Sequence, residues 1–244
     1  MDFTKTLAKF SRKLAPIATV RTAHGPLKIR CSTTKIVGLT RTFYASEPDT
    51  LAWIDQIPAG DHLWDIGANI GMVSLYAAKA GLSVTAFEPG SDNYAALNEN
   101  LWLNGLGGQV NALCLALSDV SAMGTLNMGD RRAGGAHHAF GVTQTVKGAF
   151  TPQFSQAVLG LTADSAIEHF GLPAPRHVKL DVDSIEDKIL AGAARTLRGV
   201  QSLLIEVESV RSQAWREGVR AMLGAAGLQP VDETAHNVCF TRTA

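Results

Sequence analysis

The residues best suited to chemistry form the run Asp65-Ile66-Gly67-Ala68-Asn69-Ile70-Gly71, a glycine-bearing turn headed by an acid. Glycines let such a turn fold back tightly and let a ligand approach the backbone, while the N–H groups opening the next helix remain free donors. Glu88 follows 23 residues after Asp65, the spacing at which a carboxylate on the next strand end accepts from a ribose diol. A dinucleotide fits poorly, because its pyrophosphate needs a G-x-G-x-x-G turn, and Asn69 and Met72 stand where two of those glycines would be.

S-adenosylmethionine suits the turn better. It carries no phosphate, and its ammonium and carboxylate match a loop opened by Asp65. Ser118 and Asp119 close the third strand, where an Asp can accept from the exocyclic amine of adenine. Three polar groups thus come from three successive strand ends.

Later acids are candidates for the reacting centre. Methyl transfer needs an aligned nucleophile and, for a hydroxyl acceptor, a group that helps remove its proton. Asp181 and Asp183 close the fourth strand, with Lys179 just before them, and Glu206 and Glu208 close the fifth. Strand alternation predicts that Asp181 and Asp183 project to one side. That pairing predicts a raised pKa on one of the two or, as a second mechanism, a divalent cation shared by Asp181, Asp183 and Glu206, although no spacing demands a metal. Asp183 also suits a helix cap. The glycine-rich stretch from Gly124 to Phe150 reads as a lid or binding loop, with His137 or His138 as base and Arg131 and Arg132 for an acceptor carboxylate or phosphate.

These residues need a scaffold, and the chain supplies an ordinary globular one. Of its 244 residues 46% are hydrophobic and 18% charged, which excludes disordered, collagen-like and coiled-coil chains. Three dispersed cysteines suggest neither a disulfide framework nor zinc, and a reducing cytoplasm is expected. No apolar run has the pattern of a secretory signal or a membrane span.

Zero net charge hides a division: residues 1–41 carry +8 and the remainder −8. Phe3, Leu7, Phe10, Leu14 and Ile17 recur at helical spacing among basic residues, predicting an amphipathic helix. It would dock on the acidic main domain or on a second subunit of a homo-oligomer; the sharper alternative is an anionic membrane or a polyanion.

Two short strands, LKIRCS and KIVGLTRTFY, and a helix opened by Pro48 then complete a lead-in of residues 1–58. From residue 59 strands and helices alternate: HLWDIGA, a helix to Gly81, LSVTAFEP, a helix from Ser91 to Gly105, VNALCLALS, a long irregular stretch, RHVKLDV, the helix SIEDKILAGAARTLRG, QSLLIEVE, a last helix and a closing hairpin. This order predicts an α/β, Rossmann-like fold: a mainly parallel sheet, helices on both faces, a C-terminal antiparallel hairpin, and the ligand at the carboxyl ends of the strands.

The motifs WDIGANIGMVSLYAA, VTAFEPGSDNYAALNENLWLNGL, ALSD and VKLDVDSIEDKILAGA with LLIEVE, preceded by EPDTLAWID, resemble the FkbM-type methyltransferases. These are class I S-adenosylmethionine-dependent enzymes that mostly methylate oxygen. The resemblance runs from about Glu47 to Glu208. It implies that Asp65, Gly67, Asn69 and Gly71 hold the methionine part, Glu88 the ribose, and Ser118 with Asp119 the adenine. The family's D-V-E-G-x-E run is here Asp181-Val182-Asp183-Ser184-Ile185-Glu186, with Ser184 replacing the glycine.

The expected function is O-methylation of a hydroxyl on a sugar, glycan or secondary metabolite, with Asp181, Asp183 and His138 as catalytic candidates. The rivals are a nicotinamide-dependent oxidoreductase, which Asn69 disfavours, and a cofactor-binding module without turnover. Nucleic acid is not an expected partner: the chain is neutral overall and carries no recognisable RNA-binding module or Asn-Pro-Pro-aromatic run.

Overall fold

The computed structural model describes residues 14–136, 138–145, 148–207 and 210–243. Short apolar runs form the strands of the main sheet: His62–Ile66 (β1), Ser83–Phe87 (β2), Val110–Leu113 (β3), His177–Leu180 (β4), Ser202–Glu206 (β5), Leu228–Glu233 (β6) and Asn237–Arg242 (β7). Their order across the sheet is β6-β7-β5-β4-β1-β2-β3. Strands β1 to β5 are parallel, and β7 is antiparallel to both β5 and β6. The chain therefore winds outward from β1 in one direction and, after β3, from β4 in the other. The crevice at this reversal is where open α/β sheets bind ligands.

The helices are Thr34–Ser46 (α1), Pro48–Ile54 (α2), Met72–Lys79 (α3), Ser91–Asn104 (α4), Ala163–Phe170 (α5), Glu186–Ala191 (α6) and Gln213–Ala225 (α7). Alternation along each strand sorts the core into two layers. Leu63, Val84, Ala86, Val110 and Leu204 pack with α1 to α4, whereas Trp64, Ile66, Phe87, Val178, Leu180 and Ile205 pack with α5 to α7. Gly105, left-handed at φ 67°, ends α4 where expected, and Pro48 opens α2.

Several expectations are corrected. KIVGLTRTFY is helical, because the Thr33 side chain caps Ile36 N–H and a helix buries Ile36 and Phe43 two turns apart; packing outweighs the β-branched character of the run. The strand of the lead-in hairpin is instead Ile17–Val20, paired with Leu27–Arg30, so Ile17 is not on a helical face. Residues 1–13 of the proposed basic helix lie outside the described residues.

VNALCLALS divides after Leu113: Ala116–Leu117 leaves the main sheet and pairs with Phe154–Leu161. The stretch expected to be irregular supplies the other strands of a four-stranded sheet, in which Ala122–Met128 and His138–Phe140 complete the order. The helix expected after β4 ends at Ala191, and a separate 3-10 turn spans Thr196–Gly199. Among the described residues no helix is long and apolar enough to cross a membrane.

Candidate functional site

The turn between β1 and α3 closes onto the loop after β4. Gly67 has φ 88°, and a β-carbon there would lie 1.8 Å from the Asp181 carbonyl oxygen, so only glycine allows the two loops to touch. Gly71, at φ 85°, is the N-cap of α3, and its absent β-carbon leaves room for Leu97. Asn69 is also left-handed, at φ 51°, a region asparagine tolerates better than most side chains.

Glu88 stands beside this turn. Its Oε2 accepts from Asn69 N–H and its Oε1 from Gly90 N–H, each at 2.8 Å. Burial pushes its carboxyl up to about 7, against those two backbone donors and Asn93. Asn93 in α4 also receives Gly134 N–H and donates to the Gly135 carbonyl, which fixes the overlying loop.

A cavity of about 210 Å³ opens between these parts. Asn69, Glu88, His138, Asp181 and Ser184 face it together with the apolar Phe87, Leu117, Phe140 and Ile189. Two buried polar atoms on its wall, Asn69 Oδ1 and Ser184 Oγ, have no hydrogen-bond partner among the described residues. Such atoms are costly unless something else satisfies them.

Asp65 lies behind this wall. Completely buried, it accepts from the Ser74 hydroxyl at 2.5 Å. The sheet register places Lys179 beside it, with Nζ 3.9 Å from its Oδ1. Burial raises the Asp65 carboxyl above its ordinary value despite Lys179 and Ser74. Lys179 also donates to Asp181 Oδ2 at 2.6 Å. Burial opposes its charge, but Asp181, Asp65 and Glu47 outweigh that and hold the ammonium above its ordinary range. Burial likewise pushes Asp181 up, while Lys179 and a side-chain hydrogen bond with Glu206 leave it below the usual carboxylate value. A second cavity, of about 220 Å³, shares Ser46, Glu47, Lys179 and Asp181 with the first.

The expected residues therefore separate. Gly67, Asn69, Glu88, His138, Asp181 and Asp183 line the first cavity, whereas Asp65 and Gly71 support it from behind. Ser118 and Asp119 fall outside: Ser118 is buried with its N–H on the Leu161 carbonyl, and its hydroxyl donates to the exposed Asp119. Their strand has left the main sheet, and Leu115, Ala116 and Leu117 line the cavity in their place.

Asp181 and Asp183 do not act as a pair. Strand alternation stops at Leu180, and Asp183 Oδ2 accepts instead from His138 N–H at 3.0 Å. His138 Nε2 lies 3.0 Å from the Asp130 carbonyl oxygen. A carbonyl only accepts, so Nε2 carries the proton and Nδ1 is the basic nitrogen.

Arg132 pairs with Asp130 at 2.7 Å, and Arg131 with Asp92 at 3.2 Å over the Phe154 ring; neither lines a cavity described above. His137 and Glu208 lie outside the described residues. Glu47, at the junction of α1 and α2, has no role in the sequence reading, although the EPDT run that carries it was part of the resemblance.

Comparison with known proteins agrees with this architecture. Over 157 residues the chain is 28% identical to the hexuronic acid methyltransferase AglP of Haloferax volcanii, covering 64% of this chain and 59% of that protein. It is also 28% identical over 160 residues to the 31-O-demethyl-FK506 methyltransferase FkbM of Streptomyces tacrolimicus, covering 56% and 61%. The chain thus spans about three fifths of the length of each relative. A crystal structure titled as a putative rRNA-methylase from Clostridium thermocellum shares the fold, with a TM-score of 0.51, 10% identity, and coverage of 82% of this chain and 96% of that one. The family model for the methyltransferase FkbM domain matches residues 65–230, from the middle of β1 into β6, and on that extent the chain belongs to the FkbM methyltransferase family.

Proposed function

We propose that this chain is an S-adenosylmethionine-dependent O-methyltransferase acting on a hydroxyl of a sugar, glycan or secondary metabolite. The observation that carries the reading is the pair of buried oxygens, Asn69 Oδ1 and Ser184 Oγ, that have no partner among the described residues and share a cavity wall with Glu88. A ligand with hydrogen-bond donors at several points is what such a wall lacks.

S-adenosylmethionine fits that donor set. Asn69 Oδ1 would accept from its ammonium and Glu88 from the ribose hydroxyls, while Phe87, Leu117, Phe140 and Ile189 would give an apolar wall for adenine. When bound, it would supply an electrophilic methyl group on a sulfonium for transfer to an acceptor oxygen, with a neutral thioether as leaving group.

The chain's own residues do the remainder. Asp181, on the wall common to both cavities, accepts the proton of the acceptor hydroxyl as the new C–O bond forms. Lys179 keeps that carboxylate ionised and fixes its position. His138 lies beside Glu88: a β-carbon on Gly90 would meet Glu88 Oε1 at 2.8 Å and His138 Nδ1 at 3.3 Å. It belongs to the ribose side of the site, and Asp183 positions it through its main chain. Oxygen as the accepting atom is favoured by the relatives, one of which is named for an O-demethylated substrate and the other for a sugar acid.

Titration calorimetry with S-adenosylhomocysteine, with NAD as control, tests the reading. Binding of the former alone is expected, weakened by roughly 1–3 kcal/mol in Glu88→Ala as charge-assisted hydrogen bonds are lost. Binding of NAD, or of neither, would end it.

A further inference from the structure

The second cavity is a separate chamber built from parts outside the nucleotide turn. Its wall comes from the α1–α2 junction at Ser46, Glu47 and Thr50, the ends of β4 and β5 at Lys179, Asp181 and Glu206, and the β6–β7 hairpin at His236 and Asn237. It meets the first cavity at Asp181, which lines both. We propose that this chamber is the acceptor site and that it takes a neutral or cationic polyhydroxylated group, a plain sugar or an amino sugar, and rejects an anionic one. The inference rests on the methyltransferase reading above and adds the charge class of its acceptor.

Position is the first support. A group seated in this chamber has one face on Asp181 and therefore borders the place where the methyl group would be delivered. A volume of about 220 Å³ matches one sugar-sized group.

Hydrogen-bonding character is the second support. Glu47, Asp181 and Glu206 present carboxyl oxygens, groups that accept from hydroxyl donors. Carboxylates closing on the hydroxyls of a sugar ring use that capacity, and an ammonium on the ring would be held more strongly still.

Charge is the third. Lys179 is the one Lys or Arg among the described lining residues of either cavity, and it is already taken by Asp181 and Asp65. Asp181 and Glu206 lie close enough on this wall for their side chains to interact, with Glu47 across from them. Three carboxyl groups, those of Glu47, Asp181 and Glu206, thus stand around a single ammonium that also faces Asp65. His236, part of the chamber wall, is exposed, and Arg131 and Arg132 are paired elsewhere with Asp92 and Asp130. A carboxylate or phosphate on the acceptor would meet like charge, with no Lys or Arg other than the engaged Lys179 among the described residues lining the chamber.

The test uses the intact protein saturated with S-adenosylhomocysteine and three probes: methyl β-glucoside, glucosamine and glucuronate. Binding is read by saturation-transfer NMR. Glucosamine and the glucoside are expected to bind, with glucuronate weaker by at least about tenfold. Glu206→Gln and Asn237→Leu should each weaken the sugars while calorimetric affinity for S-adenosylhomocysteine stays as in the wild type. Equal or tighter binding of glucuronate, no binding of any probe, or sugar binding untouched by both variants would each overturn the assignment. If S-adenosylhomocysteine itself fails to bind, the methyltransferase reading falls first and this inference with it.

Discussion

The Asp181 carbonyl oxygen occupies the space beside Gly67 so closely that a β-carbon on Gly67 would stand 1.8 Å from it. Two loops that begin the two oppositely wound halves of the sheet are thereby in main-chain contact, and the cavity floor depends on that contact. Gly67→Ala must both separate the loops and strain a residue at φ 88°. A loss of about 2–4 kcal/mol in chemical denaturation is expected, with S-adenosylhomocysteine binding lost under conditions where the variant remains folded. Wild-type stability in Gly67→Ala would refute the contact.

Gly38 and Gly218 make the opposite case. Both sit within helices, α1 and α7, with ordinary backbone angles and open space where a β-carbon would go. Alanine at either position should raise stability by about 0.5–1 kcal/mol, since it restricts the unfolded chain and removes a poor helix former. Thermal unfolding measures this directly, and a fall in Tm would contradict the helical packing described for that position.

Glu88 gives a pH dependence of defined sign. Its carboxyl is raised from 4.5 to about 7 by burial, so between those values the folded protein holds a proton that the unfolded chain has released. The stability it contributes is complete below about 4.5 and is lost as pH rises toward 7. A ribose diol donates to the ionised form, so S-adenosylhomocysteine affinity should strengthen as pH rises from 6 to 8. Glu88→Gln should flatten both trends. A binding curve in the wild type that is level across pH 7 would remove Glu88 from the diol site.

Lys179 is the counter-ion for several buried acids at once. Lys179→Met keeps the bulk of the side chain but leaves Asp65 and Asp181 without their cation, and a loss of about 3–5 kcal/mol is expected. Adding Asp65→Asn to the variant should recover part of it, because one of the stranded charges is then gone. A double variant no more stable than Lys179→Met would show that the Lys179–Asp65 relationship carries little energy.

Asp181 and His138 should divide between kcat and KM. Once an acceptor is in hand, Asp181→Asn removes the proton acceptor and should lower kcat by roughly 10²-fold or more. His138→Gln, on the ribose side with Glu88, should instead raise KM for S-adenosylmethionine and leave kcat within a few fold. The reverse pattern would transfer the role of base to His138 Nδ1.

Much of this molecule is written in local sequence. The apolar runs of β1, β2, β4 and β5, the glycine stop of α4 and the proline start of α2 are properties of neighbouring residues, so they are visible without the fold. The same holds for the DIGANIG turn and for Glu88, because a turn and the strand end after it lie close along the chain. The KIVGLTRTFY helix was not legible, because Ile36 and Phe43 favour it only once the core they pack against exists. Nor was the departure of Ala116–Leu117 from the main sheet, which places Ser118 and Asp119 away from the cavity: their pairing strand, Phe154–Leu161, comes some forty residues later.

The second chamber was the least legible feature of all. Glu47, Asp181, Glu206 and Asn237 come from four distant parts of the chain, and their individual types say little. Each acid by itself reads as a helix cap or a strand end. Only the sheet register that places Lys179 beside Asp65, and the hairpin return that places β7 against β5, make them one charged surface. Electrostatic interaction depends on separation in space, which residue spacing along the chain does not set once the connecting elements exceed a turn or two.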